Sequence, residues 1–121
     1  MAKVLIIDDS QTETKRFTQF LEKHGHDVIT ADCGETGVDV ATEQQPDVIL
    51  MDVVMPGING FQATRRISRE ASTQHIPIII CTTKDQETDK VWGRRQGACA
   101  YLTKPVPEEL LMETIGTALS A

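Results

Sequence analysis

Apolar residues gather into five short runs, each closed by polar or turn-forming positions. The first, Lys3 to Ile7, stops at Asp8-Asp9. A second short run, Asp27 to Ala31, predicts another strand. The third, Val48-Ile49-Leu50-Met51, stops at Asp52 and leads through Val53-Val54-Met55 into Pro56-Gly57, a pair that cannot continue regular structure. Pro77 opens the fourth, Ile78 to Thr82, and Gly97-Ala98 turns into the fifth, Cys99 to Thr103, which halts at Lys104-Pro105. Runs of this length without polar alternation mark strands buried on both faces.

The intervening segments carry helix signals. Ser10-Gln11-Thr12-Glu13 fits a capping box, Phe17, Phe20, Leu21 and His24 follow at helical spacing, and Gly25 suits the position that ends the helix. Gly34 and Gly37 loosen the next turn, but Val38 and Ala41 predict one helix before Pro46. Asn59 can cap a helix with Gln62 three residues on, with Phe61, Ile67 and Ala71 on its buried side. Thr83 to Gln96 is helical in length but poor in apolar residues: Val91 and Trp92 are the substantial ones, and Gly93 costs about 1 kcal/mol relative to Ala. A helix so provided gains little from packing and is marginal. Pro107 sits at the first turn of the last helix, Glu108 and Glu109 favour its positive end, and Leu111, Ile115 and Leu119 line one face.

Five strands alternating with five helices define an α/β domain over residues 1–121, with no linker or output domain expected. Right-handed crossovers leave few topologies. The flavodoxin-like doubly wound order 2-1-3-4-5 sets strands one and three side by side at the switch point, where open α/β sheets bind ligands. Asp8, Asp9 and Asp52 then share one sheet edge with Thr82 and Lys104. Three carboxylates at close range need compensating cations. Lys104 is one, and the remaining formal charge of about −2 suits Mg²⁺, which takes oxygen ligands. A carboxylate so placed can be a ligand, a base or a nucleophile for phosphoryl transfer.

Composition removes several alternatives. A net charge of −6 and a pI of about 4.9 argue against a broad electrostatic grip on nucleic acid or anionic membrane. No apolar run approaches the roughly 18 residues of a membrane span, and the amino terminus is no signal peptide, so a cytoplasmic protein is expected. Cys33, Cys81 and Cys99 are odd in number and read as free buried thiols, while His24, His26 and His75 read as surface residues.

Asp8-Asp9, the run VILMDVVMPGINGF, Thr82-Thr83 and Lys104-Pro105 together resemble the signature of response-regulator receiver domains, over essentially the whole chain. The resemblance implies that Asp52 is the phosphoacceptor and that Asp8, Asp9, Asp52 and the Val54 carbonyl hold Mg²⁺. It implies that Thr82 and Lys104 contact the phosphoryl group, that Thr82 and Tyr101 form a switch pair, and that the Lys104-Pro105 bond is cis. It further implies a histidine kinase of the chemotaxis type as phosphodonor and a monomer that is not a classical enzyme. The phosphoryl group would reshape the surface of the fourth helix, fifth strand and fifth helix. KDQETDKVWGRRQGA with YLTKPV resembles the PilH-type regulators of twitching motility, implying a downstream pilus or motor protein in a chemotaxis-like pathway controlling type IV pili. Trp92, Arg94 and Arg95 are the candidate partner surface, since exposed Trp and Arg are enriched at binding hot spots; half-buried packing is the competing role for Trp92. Val54, Thr83 and Lys84 depart from common family residues, and Val54 cannot orient a hydrolytic water, which implies slow-to-moderate self-dephosphorylation. A phosphate sink for a shared kinase is an alternative role. A metal-dependent phosphohydrolase is disfavoured by the missing second acid at Val54, and a flavodoxin-like cofactor binder by the two acids where a phosphate would sit.

Overall fold

The computed structural model describes residues 1–121 and shows the expected alternation: β1 (Lys3–Ile7), α1 (Gln11–Lys23), β2 (Asp27–Ala31), α2 (Gly34–Gln44), β3 (Val48–Met51), α3 (Gly60–Arg69), β4 (Ile78–Thr82), α4 (Glu87–Gln96), β5 (Ala100–Thr103) and α5 (Glu108–Ser120). The strands form one sheet in the order β2-β1-β3-β4-β5, with every pair parallel. This is the flavodoxin-like doubly wound arrangement.

Side chains alternate across each strand, so a run apolar at every position needs cover on both faces. Leu5, Ile7, Ile49, Met51 and Ile80 pack with Ala41 of α2 and with Phe61 and Ile67 of α3. Val4, Ile6, Val48, Leu50 and Ile79 pack on the opposite face, with Phe17 and Leu21 of α1 and Leu111 and Ile115 of α5. Each large side chain buried this way contributes about 1.5–3 kcal/mol. The two cores clamp the central strands and fix where their carboxyl ends lie.

Of α4 only Gly93 and Gln96 are buried, which matches its sparse apolar content. Gly93 has a packing role that its propensity conceals. A Cβ there would lie 2.9 Å from Ile80 Cδ1 and 3.0 Å from Tyr101 Cδ2, so glycine allows α4 to approach the sheet closely.

Several local expectations require correction. Gly34 and Gly37 lie inside α2, buried, and do not loosen a preceding turn. Ser10 accepts the Glu13 amide at 3.3 Å, but the Glu13 carboxylate lies by Arg16, at 4.0 Å, so this cap is one-sided. The complete capping box is at Asn59, whose side chain accepts the Gln62 amide at 2.9 Å while Gln62 accepts the Asn59 amide at 2.8 Å. Ala71 is exposed beyond the end of α3, and Ala63 and Thr64 fill the buried face instead. Leu119 is 40% exposed. All three cysteines are free, but only Cys81 is buried, and Cys99 is exposed just before β5. No helix is long and apolar enough to cross a membrane.

Candidate functional site

The register of the sheet builds the site. Ile7 pairs with Met51, so the next residues, Asp8 and Asp52, emerge side by side. Their backbones remain tied to the sheet: the Asp8 amide donates to Ala31 O at 3.0 Å and the Asp52 amide to Ile7 O at 2.9 Å. Lys104 emerges past β5 in the same way, its amide donating to Thr82 O at 2.8 Å. The Lys104-Pro105 bond is cis, as the resemblance implies. Gly60 holds the loop behind Asp52, donating its amide to Val53 O at 2.9 Å. A Cβ at Gly60 would overlap the Asp52 carbonyl, so the approach of α3 to this loop demands glycine.

The carboxylate oxygens of Asp8, Asp9 and Asp52 lie within 4.8 Å of one another. Asp8 is 4% and Asp52 8% exposed, whereas Asp9 opens to solvent. The Lys104 ammonium donates to Asp8 Oδ2 at 2.8 Å and stands 3.7 Å from Asp52 Oδ2. Asp8 Oδ1 accepts the Ser10 amide at 2.8 Å, and Asp52 Oδ1 accepts the Val53 amide at 2.8 Å. Burial, followed by the neighbouring Asp8 charge, pushes the Asp52 carboxyl above its ordinary value, against the opposing pull of Lys104, the Val53 amide and the Thr82 hydroxyl. Burial works against the Lys104 ammonium, but Asp8 and Asp52 outweigh it and raise its pKa. An all-oxygen donor set with two acids in excess over one cation is compatible with Mg²⁺.

Thr82 is fully buried, and its hydroxyl accepts the Lys84 amide at a long 3.4 Å. Tyr101 donates its phenol to the Lys84 carbonyl at 2.7 Å. The two candidate switch residues therefore bind the N–H and the C=O of one residue, Lys84, in the β4–α4 loop. Burial, with the acids Asp89, Asp85 and Asp52, pushes the Tyr101 phenol up to about 12, so it remains a donor at neutral pH. This link runs through the Lys84 backbone and not its side chain, so the sequence carries no signal of it.

The candidate partner residues lie apart from the acidic site, on α4. Trp92 is 48% exposed, midway between the two roles considered for it, and Arg94 and Arg95 are exposed. Val54 is 59% exposed. A further residue, Arg16, went unnoticed in the sequence. Its Nη2 donates to Val106 O at 2.8 Å, and its guanidinium lies 4.8 Å from the Phe20 ring centroid. It thereby ties α1 to the loop two residues beyond Lys104. Only the folded chain brings 16 and 106 together.

A sheet of this order with acids at its switch point and a lysine facing them defines a class. The sequence profile of the response regulator receiver domain matches residues 4–116, and the chain belongs to that family. Protein PilH of Pseudomonas aeruginosa is 61% identical over 120 residues, covering 99% of this chain and 99% of that one. Among solved structures, the chemotaxis protein CheY4 of Vibrio cholerae superposes with a TM-score of 0.92 at 33% identity, covering 98% of this chain and 99% of that one. A response regulator from Chloroflexus aurantiacus superposes at 0.95 with 28% identity, covering 99% and 98%.

Proposed function

We propose that Asp52 accepts a phosphoryl group from the phosphohistidine of a sensor kinase of the chemotaxis type. The observation that carries this reading is the acidic cluster that one lysine leaves two charges short of neutral. A buried carboxylate stands 3.7 Å from a lysine, beside two more acids at one sheet edge. An Asp52 oxygen attacks phosphorus, a P–O bond forms, the P–N bond breaks, and the imidazole leaves with its electron pair and is reprotonated by water. Lys104 spends one N–H on Asp8, which leaves two donors for the phosphoryl oxygens. Asp8, Asp9, Asp52 and the Val54 carbonyl would hold Mg²⁺, which supplies charge neutralisation of the transferring group.

The Thr82 hydroxyl already bears on the Asp52 carboxyl and its bond to the Lys84 amide is long, so it can turn to a phosphoryl oxygen. The Lys84 segment and Tyr101 then rearrange together, and the α4–β5–α5 surface changes because α4 is lightly packed. Identity to PilH over nearly the whole chain supports a role in twitching motility through a downstream pilus or motor protein. The chain would act by contact in the cytoplasm, with no turnover beyond its own phosphorylation and dephosphorylation. Incubation with acetyl phosphate and Mg²⁺ followed by intact mass tests the proposal. The parent should gain one phosphoryl group and Asp52→Ala none; equal gain by the variant would refute it.

A further inference from the structure

Although the chain is strongly acidic overall, α3 presents three arginines, Arg65, Arg66 and Arg69, all exposed. They line a cavity of about 580 Å³ between α2 and α3 whose only carboxylate is Glu70 and whose only hydrophobic residue is Val38. None of the three lies within 4.0 Å of a carboxylate, since the ion pairs of the molecule all lie elsewhere. Glu35 feels the Arg66 charge from a distance, but its carboxylate is committed to the Ile58 amide at 3.2 Å. Arg65 and Gln62 also line a second groove, between α3 and α4, of about 260 Å³, which ends at the half-exposed Trp92. The two grooves adjoin at Arg65 and Gln62, and this α3 channel carries three arginines in one arm and Trp92 in the other.

Pockets for small molecules are lined mostly by hydrophobic and aromatic side chains, whereas seven of the eight residues lining this one are polar or charged, three of them arginines. Arg65 and Arg69 are one turn apart on one helix face. Arginine forks pair bidentately with carboxylates, more specifically than lysine would. We propose that the α3 channel docks an acidic, glutamate-rich segment of a partner protein, with Trp92 packing against an apolar residue of that segment. This surface is distinct from the phosphoryl site, yet α3 begins at Gly60, whose amide is bound to the carbonyl of Val53 directly after Asp52. The inference rests on the receiver reading only for its regulation, because a shift of the Asp52 loop would move the helix that carries the arginines.

The test uses the full chain and two synthetic amphipathic helical peptides, one with a glutamate polar face and one with lysine in its place. Trp92 emission and backbone amide shifts are followed during titration. The glutamate peptide should saturate, with shifts clustered on α2, α3 and Trp92, and should weaken as salt rises. Arg65→Gln combined with Arg69→Gln should weaken it at least tenfold, while Lys23→Gln, on the far side at α1, should leave it unchanged. The lysine peptide should not bind. Equal binding by the double arginine variant, or shifts confined to α4, β5 and α5, would overturn the proposal. Acetyl phosphate labelling of the same variants, expected to match the parent, separates failure of the channel from failure of the phosphoacceptor reading.

Discussion

Replacing Lys104 by Met removes the single cation that holds two buried carboxylates together. At 2.8 Å from Asp8 and 3.7 Å from Asp52, an effective dielectric of 20 gives attractions of about 6 and about 4.5 kcal/mol. Asp8 and Asp52 repel one another across at most 4.8 Å, about 3.5 kcal/mol or more on the same scale. The gross loss of about 10 kcal/mol is offset by the relieved desolvation of a lysine only 7% exposed and by protonation of one acid. Breaking one side of a buried ion pair costs about 3–5 kcal/mol in practice, and Lys104→Met should lose that much by urea unfolding in EDTA at neutral pH. Mg²⁺ should restore more stability to the variant than to the parent, because the site's formal charge falls from about −2 to about −3. Saturation at a hundredfold over Kd corresponds to about 2.7 kcal/mol. Adding Asp52→Asn to Lys104→Met should recover part of the loss. A variant as stable as the parent in EDTA, or one gaining no more from Mg²⁺, would show that Lys104 does not hold the two carboxylates together.

Asp52→Asn should change the pH dependence of metal-free stability. A raised carboxyl in the folded state means that the folded chain binds the proton more readily, so the parent loses stability as pH rises from the ordinary aspartate value of 3.8 through the raised folded value. The difference between parent and Asp52→Asn melts should show that slope; a constant offset would contradict it. Gly60→Ala forces a Cβ onto the Asp52 carbonyl, and overpacking of this kind should cost about 1–3 kcal/mol with slower acetyl phosphate labelling. Arg16→Met frees the Val106 carbonyl and should slow labelling while leaving Mg²⁺ affinity, read by titration calorimetry, within about twofold; a loss of both would make Arg16 merely structural. Val54→Asn places an amide where a hydrolytic water could be oriented and should speed dephosphorylation, and a decay no faster than the parent's would count against slow intrinsic hydrolysis.

The central strands were legible because two-sided burial leaves an unmistakable trace: Val48 to Met51 and Ile78 to Cys81 are apolar at every position. Right-handed crossovers narrowed the strand order to a few, and the doubly wound one brings the acids together. What escaped the sequence lay in long-range packing. Gly93 reads as a weak helix residue until Ile80 and Tyr101 are placed against it. Gly34 and Gly37 read as turn residues because propensity carries no information about a helix pressed against Ile58 and Ile7. Ala71 fell off α3 because Glu70, with extended ψ of 133°, ends the helix first. The Lys84 backbone link and the Arg16 clamp join residues 17 and 90 positions apart, and no local pattern announces either.

In the proposed function the residue-52 carboxylate carries the phosphoryl group. Acyl phosphates are reduced by borohydride, whereas phosphate esters and phosphohistidine are not, so reduction after labelling by acetyl phosphate and Mg²⁺ marks the acceptor as homoserine. Peptide mapping should find homoserine at residue 52 alone, and only when Mg²⁺ is present. Homoserine at Asp8 or Asp9, or an unmodified Asp52 in a chain that has gained phosphate, would contradict the claim.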